Sequence, residues 1–147
     1  MTTFSPEEST TLESFYSDFD WYVGHARSLA MSPEDCCTDQ ENYLVAGELF
    51  YFLLMPTQLF DDPPGIVTRE QKLAVERLQD SIRLVPLEAR SGGPSAAASL
   101  ADMRQPSWEL PRRLANELLA VLDPLATARD AFYAKTMRIE RLLRGAL

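Results

Sequence analysis

Ten prolines and six glycines cut this 147-residue chain into short lengths, and inside each length the apolar residues return with helical period. In the first, Leu12, Phe15, Tyr16, Phe19, Val23, Ala26 and Ala30 fall within about 100° of one another on a helical wheel. In a later one, Ala74, Val75, Leu78, Ile82 and Val85 make a similar stripe, with Lys72, Glu76, Asp80 and Arg83 on its far side. In the last, the stripe is Leu125, Ala128, Phe132, Ile139, Leu143 and Ala146. No stretch alternates apolar and polar residues as a half-buried strand would. The chain can therefore build a layered core from helices alone.

Helix starts are marked as clearly as the breaks. Ser5-Pro6-Glu7-Glu8 and Ser32-Pro33-Glu34-Asp35 each place a capping serine before a proline and then acids. Thr68-Arg69-Glu70-Gln71 is a capping box, and Asp123-Pro124 is a fourth candidate start. Breaks fall at Pro56, DDPPG (61–65), Pro86, SGGPS (91–95), Pro106 and Pro111. The expectation is an all-α, single-domain bundle of five or six helices over residues 1–147. Residues 96–104 form a short helix, and 111–122 a further helix or the first arm of a kinked one. YLVAGELFYFLLM (43–55) is apolar almost all round, so a hydrophobic helix at about 33–55 is expected at the centre. The loop at about 86–95 is expected to be mobile.

The N-terminus is polar and acidic, unlike a secretory signal, and the apolar run LFYFLLM is too short to span a bilayer. A cytoplasmic protein without membrane attachment is expected. Cys36 and Cys37 are adjacent, which disfavours a disulfide between them, and no Cys/His ligand spacing exists. Twelve arginines against two lysines point to a GC-rich bacterial source.

The charge of −8 is unevenly spread. Residues 1–62 carry twelve acids against Arg27 alone, or −11, while 63–147 carry thirteen bases against ten acids, or +3. An acidic half repels nucleic acid and attracts a basic partner. Arg112, Arg113, Arg138, Arg141 and Arg144 are read as pairing with that half rather than as a nucleic-acid patch. LESFYSDFDWYV (12–23) concentrates the question. Phe15, Tyr16 and Phe19 belong to the apolar stripe, but Trp21 lies about 180° away, among Ser14, Ser17, Asp18 and His25. Trp21 is either covered by a second layer, for instance the 86–95 loop, or it anchors an interface. Tyr22 lies on the flank and could extend that surface.

Catalytic readings find little support in the residues. One histidine cannot build the Glu-x-x-His pairs of a di-metal bundle. No GxSxG, GxxxxGK[ST] or GxGxxG occurs. Glu34, Asp35, Asp39 and Glu41 are the nearest approach to a magnesium cluster, but Glu34 and Asp35 suit a helix first turn in any case. Glu48 shares a face with Glu41 and could be a buried acid. The leading expectation is a non-enzymatic acidic module, with no cofactor or metal. It would occlude the basic active cleft of a partner toxin or enzyme, as a monomer or homodimer. Size, acidity and freedom from catalytic motifs are similar to those of bacterial immunity proteins, a likeness that covers no motif. Trp21 would anchor; Glu13, Asp18, Asp20, Asp39, Glu41, Asp61 and Asp62 would steer; Tyr22 and His25 would flank. The alternatives are a small acidic secretion chaperone and a carboxylate- and magnesium-dependent helical hydrolase.

Overall fold

The structure, a computed structural model, describes residues 6–55, 60 and 65–145, with the side chains of 6–10 outside that description. Among the described residues the chain is all-helical. The helices are α1 (Pro6–Ala30), α2 (Pro33–Asp39), α3 (Val45–Leu54), α4 (Arg69–Arg83), α5 (Ala96–Met103), α6 (Glu109–Val121) and α7 (Asp123–Gly145). Short 3-10 turns at Leu87–Ala89 and Pro106–Trp108 complete the order.

Of the four start signals, those at Ser32 and Thr68 cap as the sequence implies, α7 begins at Asp123, and Ser5 lies outside the described residues. Ser32 Oγ accepts from the Asp35 N–H at 3.1 Å, and Ser95 does the same for Ala98. Thr68 and Gln71 satisfy each other's backbone N–H groups at 3.1 and 2.8 Å, a complete capping box. Pro111 lies in the first turn of α6, where its missing N–H has no partner to lose.

The described residues form seven α-helices where five or six are expected, partly because the segment 33–55 is two helices. The Asn42 N–H reaches the Cys37 carbonyl at 2.8 Å, and that of Glu41 reaches Thr38 at 3.1 Å. This pair of bonds is a Schellman turn with Glu41 in the left-handed position (φ 61°) where glycine is usual. Asn42 and Leu44 are left-handed too, so no proline or glycine announces the break. Nor is α3 enclosed: Val45, Ala46, Leu49 and Leu53 are buried, while Tyr51 and Met55 are exposed.

The most enclosed turns are in α1. Tyr22, Val23, His25, Ala26, Ser28 and Leu29 are all buried, on every side of the helix but that of Arg27. Helix α6 lies against both α1 and α4, while α2 and α3 cover the opposite side of α1. One contiguous apolar core runs through these helices to Leu125 and Phe132 of α7.

Helix C-termini are closed from a distance. Gln79 donates to the Leu53 carbonyl, Gln71 to Val121, Asn116 to Ala30 and Arg112 to Met103, at 2.9 to 3.3 Å. Each last-turn carbonyl, otherwise unpaired, thus finds a side chain from another helix. The 86–95 segment carries similar ties. Trp108 Nε1 donates to the Ala89 carbonyl at 2.8 Å, and the Gly92 N–H donates to Asp102 Oδ2 at 3.0 Å. A Cβ at Gly92 would sit 2.7 Å from Asp102 Oδ1 and 3.0 Å from the Ala98 carbonyl, so the turn requires glycine.

Among the described residues, ion pairs join the acidic and basic halves. Arg129 meets Asp20, linking α7 to α1, and Arg104 meets Glu34, each at 2.6 Å. Among the described residues no helix is long and apolar enough to cross a membrane.

Candidate interaction surface

The polar back of α1 divides at Trp21. Before it, Glu13, Ser14, Ser17 and Asp18 are exposed and line a shallow polar groove of about 410 Å3. After it, α2 and α3 close over the same face, so His25 and Ser28, one and two turns further on, are buried. Trp21 stands at the boundary and is 58% exposed.

Its covering layer is partial, and it comes from α3 rather than from the 86–95 loop. Phe52 meets Trp21 edge-on at 5.4 Å between ring centroids. His25 lies 4.8 Å from Trp21 and 4.9 Å from Phe52, forming the floor of the cluster. His25 Nδ1 is 2.8 Å from the Trp21 carbonyl oxygen, which can only accept, so Nδ1 carries the hydrogen. Tyr51, 57% exposed, packs on Phe52 at 5.3 Å and widens the patch. Trp21 and Tyr51 therefore stand exposed on a half-buried Phe52, with Asp18 one turn before Trp21 on α1.

Several expected members of this surface lie elsewhere. Tyr22 is 1% exposed and packs its ring edge-on against Phe60. Enclosure of α1 from both sides removes it from any surface. Burial pushes its phenol well above the usual range, against a smaller lowering by Arg83, and its hydroxyl has no hydrogen-bond partner among the described residues. His25 is buried for the same reason and supports the patch from beneath. Asp20 faces α7, because it follows by one turn Tyr16, whose ring touches Phe132 and Tyr133. Its carboxylate accepts from Arg129 at 2.6 Å and from the Tyr133 hydroxyl at 3.1 Å. It ties α1 to α7 while its side chain stays 40% exposed.

Asp39 and Glu41 are exposed at the end of α2, which packs on α5 and α1. Asp61 and Asp62 lie outside the described residues. Glu48 is half-buried on α3.

Of the residues considered for chemistry, Glu34 is held in an ion pair and the two cysteines lie in the core. Arg104 donates twice to Glu34, and this hydrogen bonding holds the exposed carboxyl below its ordinary range. Cys36 and Cys37 are free, buried thiols. Burial pushes Cys36 up to about 12, only partly opposed by the Ser28 hydroxyl. Among the described residues no group of three or more His, Cys, Asp or Glu side chains gathers where one metal ion could be held.

Tyr51 and Phe52 are the members that sequence reasoning missed. The signal was there: Phe50, Tyr51 and Phe52 are consecutive, and at 100° per residue they sweep about 200° of a helix. One core face cannot take all three. Phe50 instead lies under the Arg90 guanidinium at 4.0 Å.

Compared with protein-family models, with curated proteins and with solved structures, the chain matches none.

Proposed function

We propose that this chain is an acidic protein-binding module of the inhibitor or immunity type, whose outer α1 face occludes a basic cleft on a partner toxin or enzyme. The observation that carries the reading is Trp21: a large ring, more than half bare, held by Phe52 and His25 beside exposed carboxylates. Tryptophan is enriched among the residues that dominate binding energy, and fixing its ring in advance lowers the ordering cost of association. Asp18 and Glu13 supply the charge that draws a cationic surface and sets its register. Tyr51 and Phe52 extend the apolar contact.

The test uses tagged protein and lysate of its own organism, with bound proteins eluted by a salt gradient. A stoichiometric basic protein should be captured by the wild type and released by salt. Trp21→Ala should weaken that complex by about 2 kcal/mol or more. Capture unchanged by this substitution would remove Trp21 from the site and with it this reading. Reversing Glu13 and Asp18 to lysine should slow association at low salt and flatten its salt dependence. The secretion-chaperone alternative draws on another observation, the exposed apolar residues at the end of α7. It requires binding to an unfolded client segment rather than to a folded partner.

A further inference from the structure

We infer that the distal half of α7 is a docking helix for the acidic outer face of α1 in a second copy of this chain, so that two copies pair reciprocally. The inference uses the same α1 surface as the proposed function and names a further occupant for it.

Along α7, Leu125, Ala128, Phe132, Lys135, Ile139 and Leu142 recur at alternating spacings of three and four, a coiled-coil seam. The start of the seam is seated in the chain's own core, since Leu125 and Phe132 are buried. Its middle lines an apolar groove of about 310 Å3, shared with Leu12 and Tyr16 of α1. Its end is bare: Ile139, Leu142, Leu143 and Met137 are all at least half exposed. No described residue from 137 to 145 is buried. A seam continuous from core to solvent is a helix prepared to meet another surface.

Charge selects that surface. Residues 135–145 carry four bases against Glu140 alone, a net +3. Self-pairing of two α7 ends would set like charges side by side. The outer face of α1 is complementary: Glu13 and Asp18 are exposed, Ser14 and Ser17 are small enough for close helix approach, and Trp21 offers apolar area. Asp20 meets Arg129, Tyr16 meets Phe132, and Leu12 shares a groove with Lys135, so α1 and α7 run antiparallel as neighbours. A twofold axis that crosses between the end of α7 and the outer face of α1 exchanges the two surfaces between copies, a closed isologous arrangement. The net charge of −8 on each copy opposes it, so the dimer is weak and concentration-dependent.

Sedimentation equilibrium of the full chain, from about 1 to about 200 µM at low salt, reads the association constant directly. The mass should rise toward twice the 16.6 kDa chain. Arg138→Glu with Arg141→Glu should weaken association at least about tenfold, as should Glu13→Lys with Asp18→Lys. All four are exposed, and a thermal melt verifies that each variant is folded. The chain carrying all four reversals should recover the dimer. A wild type that stays monomeric throughout overturns the inference, as does a dimer that neither pair of reversals weakens. So does a monomer that binds phosphatidylcholine–phosphatidylserine vesicles through Arg138 and Arg141, which assigns the helix to a lipid surface. None of these failures touches the proposed function, which Trp21→Ala tests on a separate captured partner.

Discussion

Helices α1 and α7 are the two longest, and both carry an apolar stripe of helical period, yet their second halves end in opposite surroundings. From Tyr22 to Leu29, α1 is closed in by α6 on one side and by α2 and α3 on the other, and even His25 and Ser28 on its polar back are buried. From Met137 to Gly145, α7 is exposed on every side, including Ile139 and Leu143 on its stripe. A stripe measures how much apolar area a helix has to offer. The number of helices that arrive beside it sets how much is taken from water.

The sharpest way to break this contrast is to make the same truncation in both places. Leu29→Ala, in a site with no exposure, should cost about 2–5 kcal/mol, from lost transfer energy and the cavity left behind. Leu142→Ala, at 70% exposure, should stay within about 0.5 kcal/mol in the monomer. Urea denaturation of the two variants at low protein concentration decides it, and equal losses would mean that the two halves are not differently packed.

A smaller effect is expected from alkali, acting on the enclosed side alone. The Cys36 thiol lies against Ser28 of α1 and is pushed from its ordinary 9.0 up to about 12. The folded state therefore holds this proton longer than the unfolded chain does. The thiol's contribution is complete below about pH 9 and is lost as pH rises toward 12, reaching about 1 kcal/mol at pH 10. Cys36→Ala should flatten the fall in urea midpoint between pH 8 and pH 10, expected to be about 1 kcal/mol in the wild type. An identical slope in both proteins would place the thiol in water.

Smaller again is the tie between α1 and α7. Asp20→Asn keeps the shape but removes the charge that Arg129 and Tyr133 share, in a site only partly screened from water. The expected loss is under about 1 kcal/mol. Amide exchange should quicken around Phe132 in α7 and remain unchanged around Ala26 in α1. Faster exchange at both positions would show that the two regions open as one unit.

The exposed Glu34–Arg104 pair should give the least. Glu34→Gln should move the melting temperature by an amount near the limit of detection at pH 7. Because the carboxyl is held below its ordinary 4.5, any difference is present above that value and disappears as pH falls through the lowered one. A difference that persists at pH 2.5 would have another origin.

Much of the local structure was legible. Helical period marked the core faces of α1 and α4, and Asp80 with Arg83 on the far side of α4 does form an ion pair at 2.8 Å. The break inside 33–55 was not legible, because the left-handed turn is made by Glu41, Asn42 and Leu44 without the glycine that normally signals it. Trp21 could be singled out by its angle on α1, but its exposure depended on how far α3 reaches along that helix. Asp20 and Asp18 are alike in sequence, and the arrival of α7 on one side of α1 separates their roles.

The two ends of the helices divide the same way. Ser32, Thr68 and Ser95 cap N-termini within three residues, a distance fixed by the backbone, so the sequence by itself determined those starts. Proline and glycine gave only some of the stops. The last carbonyls of α3, α6 and α1 accept from Gln79, Gln71 and Asn116, which are 26, 50 and 86 residues away. A side chain points back along its own helix toward the N-terminus, so it readily serves the start of a helix and seldom the end. The end must be served by whatever the tertiary structure brings to it. The same dependence on arriving neighbours left Trp21 and the end of α7 uncovered.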